Sequence, residues 1–468
     1  MKKLKLVCVA IAMACAAPSF AGGLLTNTNQ HVAFNRMMSR EASIGIDGVY
    51  YNPAGVVFMG EGHHLAINWQ LAFQTRTINN DYALFTNNVN NPTTPRDFKG
   101  TAFAPVIPSF QYAYNKGKWS FQASFALTGG GGKCTFDDGL GSFEKIVAET
   151  AIAACQLAGA VDQVAGAYGV PAIFSSNQCF GTEGKYSYNS YMHGRQYYYG
   201  LSAGAAYKFS DNFSAFLGVR GVYALTNYYG YVENIQVGQM PLYKVLNPAK
   251  ESSANIELSC DQSGVGFTPI IGVDYKTGRW NFSAKYEFKT RIRLKNKSVN
   301  QIPSIGNLPD NLRNAYIANG VPEAAADAIL SNPKIQGAMV TLKTQFDSKI
   351  DGAIGEYEDG KKIAGDIPAY LALGVGYSPV DAVRVNVGFH WFDDKNATSY
   401  NNRNKELKRG TLEYNAGVEV DVNKKITLST GWQNTNYGLS DEYMDDKSFV
   451  VSSNSVAIGG VYHINKKM

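Results

Sequence analysis

From residue 62 onward the chain alternates apolar with polar or small residues in segments of about ten positions. The clearest segment is Trp280–Leu294, where aromatic and aliphatic residues occupy one parity and charged residues the other. Such alternation is typical of a β-strand with one apolar and one polar face. Twelve such segments predict an all-β protein: Leu65–Phe73, Val106–Tyr114, Trp119–Leu127, Tyr197–Phe209, Phe213–Tyr223, Val265–Tyr275, Trp280–Leu294, Ile367–Tyr377, Val383–Trp391, Leu412–Val422, Ile426–Trp432 and Val456–Ile464.

The connections between these segments are alternately short and long. The short ones are turn-like, at 115–118, 210–212, 276–279, 378–381 and 422–425, and the long ones lie near 77–104, 129–194, 234–262, 295–365, 394–410 and 438–448. Short turns at one end and long loops at the other are typical of an outer-membrane β-barrel. The sequence therefore predicts a transmembrane antiparallel β-barrel over residues 62–468. It would have twelve strands, or fourteen if the loops at 77–104 or 234–262 hold two more. A large secreted β-sandwich is the alternative fold.

Two of the long extracellular loops, near 129–194 and 295–365, contain helical patterns. Phe143–Tyr168 has an apolar stripe of small residues, and Leu308–Asp347 predicts one or two further helices. These helices either brace the mouth of the barrel or form an outer apolar groove where a hydrophobic ligand first binds.

The first 61 residues precede the strand pattern. Residues 1–21 have the lysines, apolar stretch and small-residue cleavage site of a secretory signal peptide. Their removal takes away three lysines and lowers the formal net charge from +5 to +2, so no basic patch argues for nucleic acid. Residues 22–61 are rich in Gly and Asn, and we expect them to form a hatch (a plug) inside the barrel lumen. A disordered periplasmic tail is the alternative.

Four cysteines remain after the signal peptide: Cys134, Cys155, Cys179 and Cys260. In an exported chain, with all four outside the predicted strands, they predict up to two disulfides between loops, with the pairing open. Their spacing does not suggest a metal site, and the six histidines belong to no recognisable metal or nucleophile motif. We therefore expect no cofactor and no enzymatic activity.

Several segments, in this order, resemble the outer-membrane long-chain fatty acid and aromatic-hydrocarbon transporters of the FadL type. Asn52-Pro53-Ala54-Gly55 is similar to the Asn-Pro-Ala motif of that family's hatch, and Thr128–Phe136 is similar to the Gly-rich end of its third strand. The other matching segments are Ala206–Ser214, Gly218–Ala224, Ile367–Tyr377 and Trp391–Asp393. Two features depart from the family, which has fourteen strands and usually an aromatic last residue, whereas this chain ends at Met468.

The resemblance implies passive uptake of hydrophobic molecules, most readily long-chain fatty acids. A ligand would bind in an outer apolar groove, pass to a lumen pocket and leave sideways at a distorted third strand. The hatch would include Asn52, Pro53, Ala54 and Gly55, and the lateral gap Thr128, Gly129, Gly130, Gly131 and Gly132. Expected partners are the hydrophobic ligand, membrane lipids and lipopolysaccharide, and the protein is expected to be a monomer in the bacterial outer membrane. A general aqueous porin is the main alternative, followed by a surface adhesin or an outer-membrane hydrolase.

A ligand carboxylate in an apolar pocket would require a cation. Strand parity predicts six lumen-facing cations: Arg220, Lys285, Lys289, Arg291, Arg293 and Arg384. Of these, Arg220, Lys285, Lys289 and Arg384 are the candidate contacts for a carboxylate. The acids Glu287, Glu413, Glu419 and Asp421 share the same parity, so ion pairs within the lumen are the alternative role for each cation.

Overall fold

The computed structural model describes residues 23–303, 305–447 and 450–464; the predicted signal peptide and residues 465–468 lie outside them. One antiparallel sheet dominates the described chain. Its strands are β1 (Gly62–Asn80), β2 (Arg96–Lys116), β3 (Trp119–Phe136), β4 (Tyr186–Lys208), β5 (Phe213–Val237), β6 (Met240–Pro241), β7 (Ile256–Thr277), β8 (Trp280–Glu287), β9 (Arg293–Gln301), β10 (Lys362–Ala364), β11 (Tyr370–Val380), β12 (Val383–Phe392), β13 (Thr411–Asn423), β14 (Ile426–Asn436) and β15 (Ser453–Tyr462).

Consecutive strands are hydrogen-bonded in chain order, which gives a path of twelve strands in the described part of the chain. β9 and β10 continue β8 and β11 beyond an interruption and pair with each other. β6 is a two-residue extension paired with β5. The twelve predicted strands are thus present, and several are longer than predicted; β5 alone has 25 residues. The two largest loops are correspondingly shorter than predicted, at 137–185 and 302–361.

One short helix, α1 (Gly48–Tyr51), lies before the first strand, and the other helices lie in the long loops. These are α2 (Gly141–Gly166), α3 (Tyr243–Leu246), α4 (Leu308–Ala318), α5 (Glu323–Leu330) and α6 (Pro333–Ile354). Short 3₁₀ turns lie at Gly55–Phe58, Ala83–Asn87, Glu251–Ala254, Gly355–Tyr357, Asp394–Asn396 and Tyr400–Glu406. Three helices replace the one or two predicted after residue 308, because Pro322 and Pro333 each start a new helix. None of the described helices is long and apolar enough to cross a membrane.

The sheet curls around residues 23–60, which we call the hatch segment. Asn35 donates from Nδ2 to Gln70 Oε1 on β1 at 2.7 Å. The next residue, Arg36, donates to Ser429 Oγ on β14 at 2.9 Å, and its Cβ lies against Gly459 on β15. Asn35 and Arg36 are adjacent in the chain, yet one contacts the first strand and the other contacts the last. The two edges of the sheet therefore come close to each other on one side of the hatch segment.

A row of inward-facing glycines lies in close contact with the hatch segment. A Cβ added at any of them would lie only 2.3–2.6 Å from its nearest hatch atom. We call this row the glycine track; it consists of Gly374, Gly388, Gly417, Gly431 and Gly459, one on each of β11–β15. Residues Arg36–Ala42 can approach the wall this closely only because these positions have no side chain.

Gly431→Val is expected to push the hatch segment off this wall and to lower the free energy of unfolding by about 1–3 kcal/mol. The added Cβ would lie 2.6 Å from the amide nitrogen of Met38 and 3.1 Å from the Cα of Met37, and neither backbone atom can rotate away. Thermal unfolding in detergent measures the loss. Gly221→Val is the matched control, since its nearest neighbour is Phe267 Cε1 at 3.7 Å. Equal melting temperatures for the two variants would contradict the close packing.

The continuous alternation predicted over Trp280–Leu294 is wrong beyond Glu287. Lys285 and Glu287 face inward and are buried, but from Thr290 onward the even-numbered residues are buried and Arg291 and Arg293 are exposed. Glu287 pairs with Ile270 and Lys295 with Ser263, so eight steps along β8–β9 are matched by seven along β7. This extra residue is a β-bulge, and a shift of one residue moves every later side chain to the opposite face.

The predicted disulfides are not formed. All four cysteines are free thiols in the structure. Cys134 and Cys260 also lie on β3 and β7, contrary to the prediction that all four lie outside strands. Cys155 on α2 instead places its Sγ 3.4 Å from the carbonyl oxygen of Phe180. Burial raises the pKa of the Cys155 and Cys179 thiols, which keeps them in the unreactive protonated form.

Candidate functional site: a covered gap in the barrel wall

The ladder between β2 and β3 is interrupted in the barrel wall. The two strands pair as far as Phe110 opposite Phe125, and pairing resumes only at Ala102 opposite Cys134. The unpaired part of β2 contains Pro108, which has no amide hydrogen to donate to a ladder. The unpaired part of β3 contains Thr128 and Gly129–Gly132, the residues predicted to form a lateral gap.

The glycines of β3 are needed for the shape of this gap. Gly130 and Gly132 have φ values of +88° and +72°, a region that other residues rarely adopt. The register between β3 and β4 also shifts twice between Leu127 and Gly132. The Gly-rich run is therefore a strand distortion with a defined geometry.

The first residues of the hatch segment lie across the gap, and we call Gly23–Asn27 the covering segment. Thr26 forms an isolated antiparallel β-bridge with Gly129. Two hydrogen bonds flank this bridge: the Asn27 amide donates to the Thr128 carbonyl at 3.0 Å, and the Gly130 amide donates to the Leu25 carbonyl at 2.9 Å. Sequence reasoning did not predict this contact, because nothing in the Leu24-Leu25-Thr26 stretch indicates a strand partner.

The covering segment is also held at its start. The Leu24 amide donates to Asp394 Oδ1 at 3.1 Å, and the Thr411 amide donates to the other carboxylate oxygen at 3.0 Å. Burial raises the pKa of Asp394 to about 6. Hydrogen bonds of Leu24, Leu25 and Asn27 therefore hold the covering segment over the interrupted part of the wall.

Behind the gap, the lumen contains an apolar patch. Leu25 of the covering segment and Tyr400 pack against this lumen cluster, which consists of Tyr198, Val222, Ala224, Ile292, Leu294, Ile363 and Ile367. Ile292 and Leu294 face inward only because of the bulge after Glu287. The same backbone irregularity that moves the arginines outward thus supplies apolar side chains to the lumen.

A second apolar region lies above the barrel, among the loop helices. The helices α2–α4 and α6 enclose an outer cavity of about 50 Å³, whose lining includes Leu157, Val161, Phe174, Leu246, Leu308 and Phe346. That volume holds about one or two water molecules. A long-chain ligand would therefore enter only if these helices separate. A further cavity of about 50 Å³ lies beside Ile350 and Tyr228 and has Lys447 at its edge.

The four candidate contacts for a ligand carboxylate are each bound to protein acceptors. Arg220 contacts both oxygens of Glu287 at 2.6 and 3.0 Å, and Lys285 Nζ lies 3.0 Å from the same carboxylate. Lys289 donates to the Asn396 carbonyl at 3.1 Å, and Arg384 binds Asp421 through two bonds of 2.6 and 2.7 Å near the short turns of the sheet.

Of these four candidates, Arg220 and Lys285 lie together in the buried interior. These two cations share the single carboxylate of Glu287, and Lys285 Nζ also donates to the Tyr50 carbonyl at 2.6 Å.

The Asn-Pro-Ala-Gly stretch fastens the hatch segment to three strands, β3, β5 and β7. Asn52 and Asn281 both donate to Asp274 Oδ2, at 2.5 and 2.9 Å. The carbonyl of Pro53 accepts from Gln122 and that of Ala54 from Ser214, each at 2.7 Å, and the Gly55 amide donates back to Asn52 Oδ1 at 3.2 Å. The motif therefore anchors the hatch and does not line the gap.

Sequence reasoning missed a buried histidine that joins hatch and barrel. His390 on β12 lies 2.7 Å from Glu41 of the hatch and 2.8 Å from Glu413 on β13, and all three side chains are buried. The positions of His390 and Glu413 on inward strand faces are visible from parity. The partner Glu41 lies in a segment without periodicity, so only the fold reveals the contact.

Comparison with solved structures finds this architecture in known channels. A FadL homologue from Pseudomonas aeruginosa matches 95% of this chain and 88% of its own length, with a TM-score of 0.56 and 13% identity. The TodX deltaS2S3 mutant, a monoaromatic hydrocarbon channel, matches 93% and 90% with a TM-score of 0.53 and 13% identity. No protein-family model and no curated protein matches the sequence. The chain therefore has the FadL-type barrel fold that the resemblance implied.

Proposed function

We propose that this protein is a non-enzymatic channel of the bacterial outer membrane for passive uptake of hydrophobic molecules, most readily long-chain fatty acids. The observation that carries the proposal is the interrupted β2–β3 ladder, closed only by the covering segment and backed by the apolar lumen cluster. An aqueous porin has no need of an apolar patch behind a break in its wall. The FadL homologue and the hydrocarbon channel that share the fold support the same function.

The route follows the apolar surfaces. A ligand binds first among the loop helices at the outer cavity, then reaches the lumen cluster by displacing Leu25 from it. The displacement breaks the bonds of Leu25 and Asn27 to β3 and opens the gap between β2 and β3 to the lipid. Long-chain fatty acids suit this path because Arg220 and Lys285 are two buried cations that share one carboxylate, so a ligand carboxylate can compete with Glu287 for them.

Uptake and conductance together test the proposal. In cells that depend on this protein for growth on long-chain fatty acid, deletion should abolish uptake of the labelled acid and the intact gene should restore it. Purified protein in planar bilayers should show no large, steady, ohmic conductance, because the hatch segment is bonded to strands around the lumen. Large open channels would favour an aqueous porin. Uptake that is unchanged by deletion would favour an adhesin or a hydrolase.

Ala158→Phe is expected to reduce uptake several-fold at low ligand concentration and to have little effect at saturation. Ala158 on α2 is buried and lines the outer cavity, so a phenyl ring there fills the space in which the ligand first binds. Initial uptake rates against ligand concentration measure the change. Ala167→Phe is the control, because Ala167 is exposed at the end of the same helix. Equal rates for both variants at low concentration would exclude the outer cavity from ligand capture.

A further inference from the structure

Five cations form a row on the outer surface of the barrel, and we call it the basic ladder. Arg291, Arg293, Lys295 and Lys297 alternate with buried or half-buried residues along β9 and its approach, and Lys362 lies on the adjacent strand β10. All five are exposed. The bulge after Glu287 places them on the outside of the barrel.

The basic ladder has little compensating charge in the protein. Lys295 lies directly opposite Lys362 in the β9–β10 pairing, and like charges opposite each other destabilise a sheet. Arg293 contacts Asp366 at 2.9 Å but keeps 54% of its side chain exposed. Among the described residues, no acidic side chain lies within 4.0 Å of the other four cations; Asp261 is opposite Lys297 in the ladder without forming an ion pair.

The position of the basic ladder relative to the membrane is given by the neighbouring strand. Lys295 pairs with Ser263, which places Arg293 level with Val265 and Arg291 level with Phe267. Val265 and Phe267 are 64% and 71% exposed and face the lipid. Moving toward the long loops, the outward residues of β7 become polar. The basic ladder therefore begins where the apolar belt ends, on the extracellular side.

We propose that the basic ladder binds the phosphate groups of a phosphorylated glycolipid in the outer leaflet, with the acyl chains against Val265 and Phe267. Arginine guanidinium groups bind phosphate through paired hydrogen bonds, and lysines add point charges. A phosphate between Lys295 and Lys362 removes their mutual repulsion. The proposal rests on the outer-membrane location proposed above, but it does not depend on what the channel transports.

Lipid retention by full-length protein in nanodiscs tests the site, with bisphosphorylated lipid A as the probe and native mass spectrometry as the readout. The triple variant Lys295→Gln, Lys297→Gln and Lys362→Gln should bind lipid A about a hundredfold more weakly, since each basic residue at a charged lipid surface contributes about fivefold and the three contributions multiply. The control removes three exposed lysines from the loops: Lys244→Gln, Lys250→Gln and Lys334→Gln. Its affinity should stay within about twofold of the parent protein, with both triple variants remaining heat-modifiable barrels on gels.

Two further probes distinguish the source of the phosphate. Dephosphorylated lipid A should bind the parent protein as weakly as lipid A binds the first triple variant. Inorganic phosphate in large excess should not displace lipid A, because it lacks the acyl chains. Equal loss in both triple variants, or full displacement by free phosphate, would overturn the proposal. Fatty acid uptake should be unchanged in the first variant, so failure of this site and failure of the proposed channel function are separable.

Discussion

A disulfide between cysteines introduced at Asn27 and Thr128 is expected to stop uptake almost completely, and a reductant should restore it. The Thr26–Gly129 bridge places Asn27 opposite Thr128, and the Asn27 amide lies 3.0 Å from the Thr128 carbonyl. Opposite residues in an antiparallel pair have Cα atoms about 4.5–5.5 Å apart, which suits a disulfide. The cross-link holds the covering segment over the gap, so the proposed lateral exit cannot open.

The comparison is made in protein whose four native cysteines are replaced by serine, which removes competing thiols. Asn434→Cys with Asn454→Cys is the matched control, because these residues are opposite each other on β14 and β15, away from the gap. Oxidation should leave uptake through the control protein unchanged. If oxidised Asn27→Cys, Thr128→Cys protein transports at the rate of its reduced form, the covering segment does not gate the exit.

The outward-facing part of the fold was predictable because its signal is local. Apolar residues recur at every second position along the outer face, so segments such as Trp119–Leu127 carry the strand pattern in their own sequence. The loop helix α2 was predictable for the same reason, since its small apolar residues recur with helical spacing. The strands extend further toward the long loops than predicted. Tyr228 and its neighbours lie beyond the apolar belt, where apolar and polar residues no longer need to alternate.

The bulge after Glu287 could not be predicted from the chain alone. Ile292 and Leu294 continue the even parity of Trp280, so the sequence alternates without a visible break. Only the register against Ile270 and Ser263 on β7 reveals the extra residue. This single insertion places Ile292 and Leu294 in the lumen cluster and Arg291 and Arg293 in the basic ladder, so parity alone assigned these two arginines to the wrong face.

Only those parts of the candidate site that lie within one short segment could be predicted from the sequence. The glycines of β3 are informative by themselves, because positive φ angles require them at Gly130 and Gly132. The contacts of Leu25 with the lumen cluster, and of Glu41 with His390, join segments that are far apart in the chain. No local pattern encodes such pairs, because the hatch segment has neither strand nor helix periodicity.

Glu287→Gln is expected to be the most destabilising single substitution in the lumen, lowering the free energy of unfolding by about 3–5 kcal/mol. The neutral amide would leave Arg220 and Lys285 buried beside each other without their shared carboxylate. Denaturant unfolding in detergent measures the loss. Arg220→Met is the comparison, because it keeps a one-to-one pair between Lys285 and Glu287 and should cost clearly less.

The same variant tests whether a ligand carboxylate reaches the two cations. If it does, a long-chain fatty acid should restore more of the lost stability of Glu287→Gln than an alkane of equal length, because its carboxylate replaces the missing anion beside Arg220 and Lys285. In Arg220→Met the acid and the alkane should act alike, since Glu287 already neutralises the remaining cation. Equal stabilisation by acid and alkane in Glu287→Gln would mean that these cations serve the hatch and barrel only, and that the channel selects its ligands by their apolar surface.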